Sequence, residues 1–151
     1  MAKSVRVEFT PTLHSDPSAV GFRMFTSNGV VSYTGDTELT SEVISSHQGS
    51  RIIIVNLTRP LKARVPRHMC TEDAAVLIKE AAPEMAVVTH FGMRLIREGV
   101  RIQTNYIEEH SGIRTIGAED LMSLSIGKTV RGRRPDTARR DRVSQSEPFD
   151  I

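Results

Sequence analysis

Hydrophobic and polar residues alternate near the start of the chain and give way to apolar runs farther along. Residues 5–9 alternate as in a strand with one buried face, and residues 19–26 and 29–34 flank the hairpin sequence Ser27-Asn28-Gly29. The runs at 51–57 and 85–89 are almost wholly apolar, which is typical of strands covered on both faces. Two short strands are predicted at 113–118 and 121–126.

Helical patterns fill the intervals between these strands. A short helix is predicted over 40–47 with Thr40 as its cap, and a second begins at a capping Thr71 and ends before Pro83. Residues 93–110 form a third helical stretch that Gly99 interrupts. Strands that alternate with helices predict an α/β layered domain, in which loops at the strand ends carry the functional groups.

The composition bounds the class of protein. A length of 151 residues suits one domain, and a single cysteine excludes an internal disulfide. No apolar run approaches the roughly 20 residues of a membrane span, and the first residues lack a signal-peptide pattern. We therefore expect a soluble cytoplasmic protein without a membrane partner.

The charge is unevenly distributed. Residues 128–151 contain seven Lys or Arg and four Asp or Glu, which leaves thirteen basic and fourteen acidic residues in the rest of the chain. Hydrophobic residues nearly vanish after Gly127, so this segment has too little apolar surface to fold. We predict a domain over 1–127 and a disordered basic tail over 128–151.

Three side chains with metal-binding chemistry lie beside predicted strands. His14 lies in the loop after the first strand, Asp36 follows the third strand and Gly35, and His90 ends the buried strand 85–89. Imidazole and carboxylate are the usual ligands of catalytic zinc. Taken singly, His14 fits an exposed loop residue better than a ligand, and Asp36 fits a turn residue or a helix cap.

Four segments together are similar to the metallo-β-lactamase-fold hydrolases, especially their phosphodiesterase and ribonuclease-Z-like branch. The match covers roughly residues 4–126 and rests on segments 13–23, 32–38, 68–74 and 87–92. The resemblance implies half of an αββα sandwich, with a mixed sheet and helices on one face.

The resemblance also implies roles for individual residues. His14 corresponds to a ligand of the first metal, Asp36 to the carboxylate that bridges two metals, and His90 to a ligand of the second metal. The implied cofactor is Zn²⁺, or Mn²⁺ or Fe²⁺, in a two-metal site that hydrolyses phosphoesters or nucleic acid with a metal-bound hydroxide. Asp36 and His68 are the implied catalytic residues.

The chain departs from the family at its signature cluster, His-x-His-x-Asp-His. Its histidines are His14, His47, His68, His90 and His110, and no two lie two residues apart. The chain therefore resembles the C-terminal half of the fold, with an incomplete metal site and an uncovered sheet face. We expect weak metal binding by the chain alone, and a homo-oligomer or a separate N-terminal half as its partner.

Several residues keep alternative interpretations. His68 fits the substrate end of the site and a packing position before a helix about equally well. Asp16 fits a second-shell acceptor for His14 or an Asx turn before Pro17, and Cys70 fits a buried helix-entry residue better than a nucleophile. Asp120 is a weaker candidate for the site.

Two functions follow from these patterns. The first is a metal-dependent phosphodiester or phosphoester hydrolase that is inactive without the missing cluster. The alternative is a non-catalytic interaction or nucleic-acid-binding domain that keeps the scaffold and uses the basic loop 59–67 and the tail. The tail lacks aromatic residues among its arginines for stacking on bases.

Overall fold

A computed structural model describes residues 5–134 of the chain. The chain divides into two compact units, Met1–Gly117 and Ala118–Ile151. The candidate residues His14, Asp36, His68 and His90 all belong to the first unit.

The first unit is built on a six-stranded mixed sheet whose spatial order follows the chain order. The strands are β1 Arg6–Thr10, β2 Gly21–Thr26, β3 Gly29–Tyr33, β4 Ile52–Asn56, β5 Met85–Thr89 and β6 Thr115–Gly117. Strands β1 to β3 form an antiparallel meander, and β4, β5 and β6 are added in parallel to β3. The parallel pairs require crossover connections, which the helices provide.

The helices cover one face of this sheet. They are α1 Ser41–His47, α2 Thr71–Ala81, α3 Met93–Glu98 and α4 Val100–Ser111. Ile53 and Val55 of β4 pack in one buried cluster with Leu77 of α2 and Ile107 of α4. None of the helices within residues 5–134 is long and apolar enough to cross a membrane. The mixed sheet with helices on one face confirms the expected layered architecture.

The opposite face of β1 to β3 carries a row of apolar side chains, which we call the open face. The register aligns Phe9 with Phe22 and Phe22 with Tyr33, and aligns Val7 with Met24, so these five side chains point to one side. Phe9 is 76% exposed and Val7 is 47% exposed. All five lie outside the core cluster of the described residues.

The start of α2 differs from its prediction. Cys70, rather than Thr71, occupies the capping position, and the Asp73 carboxylate accepts hydrogen bonds from the Cys70 amide and thiol. Thr71 is the first helical residue, and its hydroxyl donates to Gln103 Oε1 at 2.8 Å. A thiol is an unusual cap, which is why the neighbouring threonine was the better candidate in the sequence. The helix break at Gly99 and the cap at Thr40 are confirmed.

The second unit contains an antiparallel hairpin of β7 Ser123–Ile126 and β8 Val130–Arg133. The prediction of disorder from residue 128 is therefore wrong for Val130–Arg133. Backbone pairing with β7 orders this short strand although its side chains are mostly exposed and polar. The predicted tail beyond residue 134 lies outside the described residues.

His47 ends α1 and is fully buried, although its sequence neighbours are polar. Its Nε2 lies 3.5 Å from the Thr10 hydroxyl oxygen of β1. Its Nδ1 has no hydrogen-bond partner among the described residues. Burial lowers the pKa of His47 to about 4, and the nearby Arg23 guanidinium adds to this effect. The polar residues around His47 in the sequence give no sign of this burial.

We predict an acid-sensitive stability that depends on His47. The unfolded chain binds a proton at this histidine below its ordinary pKa, whereas the folded chain does so only near pH 4, so the free energy of unfolding falls as the pH drops from 6.5 towards 4. His47 should lower the free energy of unfolding at pH 5 by about 2 kcal/mol relative to its value at pH 8. Urea unfolding of the chain and its His47→Gln variant at both pH values measures it. The exposed His110→Gln serves as control, and an equal pH dependence in the chain and in His47→Gln would contradict the prediction.

Candidate functional site

Asp36 and His90 lie together at the edge of the sheet where β3, β4 and β5 end. The distance from Asp36 Oδ2 to His90 Nε2 is 3.3 Å, with the two side chains a quarter and a half exposed. Parallel strands bring their carboxyl ends to one edge, so residues far apart in sequence meet there. A carboxylate beside an imidazole at this position is able to bind a cation or to exchange a proton.

Asn56, the last residue of β4, fixes the other oxygen of Asp36. Its Nδ2 donates to Asp36 Oδ1 at 3.0 Å, and its backbone N–H donates to Thr34 Oγ1 at 3.1 Å. Asn56 is buried. Asn56 was not among the candidate site residues predicted from the sequence. The available signal was one amide side chain that ends an otherwise apolar strand between the strands of Asp36 and His90.

Gly35 sets the direction in which Asp36 leaves the sheet. Its φ is +65°, and a Cβ at this position would lie 2.6 Å from the carbonyl oxygen of Val20. A side chain would therefore strain the backbone and collide with a neighbouring loop. The glycine allows the chain to turn close to residue 20 and place Asp36 beside Asn56.

His90 has a left-handed backbone, with φ of +59°. A non-glycine residue adopts this conformation at a cost that the surrounding structure has to offset. His90 Nδ1 lies 3.3 Å from Thr58 Oγ1, and the Gly92 amide donates to the Thr58 carbonyl at 3.2 Å. Thr58 therefore holds the loop after β5 on both sides of Phe91 and directs the His90 ring to Asp36.

His14 and His68 form a second pair. Their ring centroids are 5.2 Å apart and their planes are inclined by 82°, in an edge-on contact. His14 Nδ1 accepts a hydrogen bond from the Asp16 backbone N–H at 3.2 Å. His68 Nδ1 lies 3.2 Å from the Pro66 carbonyl, which only accepts, so this nitrogen carries a proton. The neutral rings thus have opposite tautomers, with hydrogen on Nε2 of His14 and on Nδ1 of His68.

Asp16 forms the turn of the His14 loop. Its Oδ1 accepts from the Ser18 backbone N–H at 2.8 Å, which is the Asx turn before Pro17. Its contact with His14 comes from the backbone amide and not from the carboxylate. The structure therefore supports the Asx turn and not the alternative in which the Asp16 carboxylate accepts a hydrogen bond from His14. For His14 to bind a metal through Nδ1, the hydrogen bond from Asp16 would have to break.

The two pairs do not merge into one cluster. Within residues 5–134, no group of three or more His, Cys, Asp or Glu side chains is arranged to hold a metal ion. Of the three expected ligands, Asp36 and His90 are in contact, while His14 contacts His68. A catalytic zinc takes about three ligands from its protein, so the described residues alone do not fit a metal centre.

Cys70 does not join the site. Cys70 is buried, and burial together with the adjacent Asp73 carboxylate raises the pKa of its thiol to about 12. A thiol that stays protonated is a poor nucleophile, in keeping with its interpretation as a helix-entry residue. Asp120 is an exposed residue of the second unit.

The basic loop 59–67 uses two of its cations internally. Arg59 Nε donates to the Ala63 carbonyl at 3.0 Å, and Arg64 pairs with the buried carboxylate of Asp73. Lys62 and Arg67 are exposed. The loop is thus a folded structure that is pinned to α2, with fewer cations directed to a ligand than its sequence indicates.

Comparison with known proteins identifies the family. Residues 1–91 match the model of a family described as the beta-lactamase superfamily domain. The chain belongs to the beta-lactamase superfamily. An uncharacterized protein of Methanocaldococcus jannaschii is 35% identical over 114 residues, which cover 74% of this chain and 42% of that protein.

Two solved structures show the superfamily fold. The metallo-beta-lactamase fold protein YhfI from Bacillus subtilis aligns with a TM-score of 0.68 and 17% identity, over 88% of this chain and 52% of its own. The short form of human tRNase Z aligns with a TM-score of 0.60 and 20% identity, over 84% of this chain and 45% of its own. The resemblance found in the sequence is confirmed, and the chain spans about half the length of these superfamily members.

The geometry at Gly35 yields a stability prediction. Gly35→Ala adds both a left-handed alanine and a collision with Val20, whereas Gly112→Ala adds only the left-handed alanine, because nothing lies within 4 Å of its Cβ position. We expect Gly112→Ala to lower the free energy of unfolding by about 1 kcal/mol and Gly35→Ala by at least about 2 kcal/mol. Urea unfolding of both variants measures the difference. Equal losses would show that the turn before Asp36 has room for a side chain.

Proposed function

We propose that this chain forms part of a metal-dependent hydrolase of phosphoester bonds and supplies Asp36 and His90 to its metal centre. The observation that carries the proposal is the Asp36–His90 contact of 3.3 Å at the strand ends, in a chain of this superfamily. The preference for phosphoesters draws on the resemblance to the ribonuclease-Z-like branch and on the structural similarity to human tRNase Z.

The chain's own residues prepare this pair for a cation. Asn56 holds one oxygen of Asp36 by a hydrogen bond, which leaves the second oxygen beside His90. Thr58 contacts His90 at Nδ1, so Nε2 faces the carboxylate. In this arrangement the neighbouring polar groups orient both donors before any ion binds.

The remaining donors belong, in this proposal, to the part of the fold that the relatives have and this chain does not span. Two donors are too few for a catalytic metal, and the His-x-His-x-Asp-His cluster of the family would supply the others. His14 becomes a metal ligand only if it gives up the hydrogen bond from Asp16. The proposed ions are Zn²⁺, Mn²⁺ or Fe²⁺, which suit imidazole and carboxylate ligands.

His68 is the proposed catalytic residue that contacts the substrate. It is partly exposed, and the Pro66 carbonyl accepts its Nδ1 proton, which leaves Nε2 as a base in the neutral ring. The adjacent Arg67 is exposed and adds positive charge for a phosphate group.

The alternative function, a non-catalytic interaction or nucleic-acid-binding domain, has less support in the described residues. Arg59 and Arg64 are engaged within the protein, as described above, so the loop offers fewer cations to an acidic partner. Metal and assembly measurements separate the two functions.

We predict that the chain alone binds zinc weakly. Because the metal-binding side chains occur only in pairs, the dissociation constant for Zn²⁺ should be above about 1 μM, and Asp36→Asn should weaken binding further. Calorimetric titration with zinc at pH 7.5 measures both, with His110→Ala as a control that leaves binding unchanged. Sub-micromolar affinity that His14→Ala abolishes would contradict the separation of the two pairs. Equal binding by the chain and Asp36→Asn would argue for the non-catalytic alternative.

We also propose that the missing part of the fold covers the open face, and that without it the chain self-associates through this face. Exposed apolar patches of this kind mark interfaces. Sedimentation velocity should show dimers or larger species that Phe9→Ser reduces, while Val76→Ser, at an exposed site on α2, leaves them unchanged.

The same assembly allows a test of activity. Addition of the part of the M. jannaschii relative that this chain does not cover should give a heterodimer that hydrolyses bis(p-nitrophenyl) phosphate with zinc or manganese. A monomer that does not bind this part would contradict the proposed role of the open face. A heterodimer without hydrolysis would contradict the proposed phosphoester activity.

A further inference from the structure

We propose that Glu38 is a positioning residue that holds the His14 loop and the His68 loop against the Asp36 turn. It lies two residues after Asp36 and touches both loops through hydrogen bonds. The contacts are observed in the structure, whereas their consequence for catalysis rests on the proposed hydrolase function.

The first contact joins residue 38 to the His14 loop through the backbone. The Glu38 amide donates to the Leu13 carbonyl at 2.9 Å, and the Leu13 amide donates to Thr37 Oγ1 at 2.8 Å. These two bonds run in opposite directions between neighbouring residues. They fix the backbone immediately before His14 to the backbone immediately after Asp36.

The second contact joins Glu38 to the His68 loop through its side chain. Glu38 Oε2 accepts the backbone N–H of Arg67 at 3.0 Å, directly before His68. Arg67 has a φ of +69°, a left-handed conformation that a residue with a side chain seldom adopts. A carboxylate acceptor makes a stronger bond than a neutral one and is suited to hold this conformation.

The other bonds of the His68 loop tie it to α2, to α4 or to itself. The Leu61 amide donates to Gln103 Oε1 at 3.0 Å, and Arg64 pairs with Asp73 of α2. Val65 and His68 form an antiparallel bridge across the bend. The Glu38 carboxylate instead joins the bend at Arg67 to the Asp36 turn, and this bond positions the bend and its His68 relative to that turn.

Hydrogen bonds to residue 38 therefore help to position both histidines of the edge-on pair. Leu13 precedes His14 and Arg67 precedes His68, and each bonds to Glu38. The 5.2 Å separation of the two rings follows from these ties together with the local turns. Loss of the carboxylate should release His68 from His14 while the sheet and the helices stay folded.

Nuclear magnetic resonance of the full 151-residue chain tests the proposal without metal or substrate. In the unmutated chain we expect a cross-relaxation signal between the His14 and His68 rings and slow hydrogen exchange at the Arg67 amide. Glu38→Ala should remove the ring signal and speed exchange at Arg67 by about tenfold or more. Glu38→Gln keeps an acceptor oxygen and should restore both observations.

Glu98→Ala is the matched control, because it removes an exposed carboxylate of α3 that pairs with Arg94. It should leave the ring signal and the Arg67 exchange unchanged. The proposal is overturned if Glu38→Ala keeps both observations, or if the unmutated chain shows neither. If Glu38→Ala fails to fold, Glu38→Gln decides: native spectra with both observations support the proposal, and their loss overturns it.

A merely structural role for Glu38 predicts a different result. It would lower the stability of the whole chain and speed exchange across β3 and β4 as well as at Arg67. We expect amides in those strands to keep their protection in Glu38→Ala. Failure of zinc binding or hydrolysis in the experiments above would leave this result intact, so the two proposals fail separately.

Discussion

Parallel pairing of β3, β4 and β5 is the constraint on which the candidate site depends. It aligns Val31 of β3 with Ile52 and Met85, the first residues of β4 and β5, and brings the carboxyl ends to one edge. Asn56 ends the middle strand in register with Thr89 of β5, and its side chain donates a hydrogen bond to the Asp36 carboxylate. Because Asn56 is buried and held by its strand, its amide fixes the orientation of the Asp36 carboxylate.

The sequence predicts this part of the fold well, because local patterns encode it. The apolar runs fixed the buried strands, with β5 at the predicted residues 85–89, and Gly99 separated two helices as expected. The left-handed backbone of His90 and the burial of His47 escaped prediction. Each is imposed by contacts distant in sequence, with Thr58 in one case and with Thr10 of β1 in the other.

The sequence singles out the four residues of the two pairs as candidates, but it does not predict how they pair. Residue types and order single out His14, Asp36 and His90, whereas only the three-dimensional structure shows that Asp36 lies beside His90 and His14 beside His68. The only local signal for Asn56 is one amide at the end of an apolar run, and this signal alone does not distinguish a functional residue from an ordinary strand end. The same holds for Cys70, whose capping role depends on the Asp73 carboxylate three residues later.

The two pairs have different physical supports, and this difference bears on how the site works. Asp36 and His90 sit on strand ends that the buried core holds in place, so their separation is set by the sheet. His14 and His68 lie on loops, and hydrogen bonds to residues 37 and 38 hold these loops in place. Such loops open at lower free energy than core strands. A centre assembled from both pairs would therefore combine one pair that the sheet holds rigidly with one pair that lies on more mobile loops.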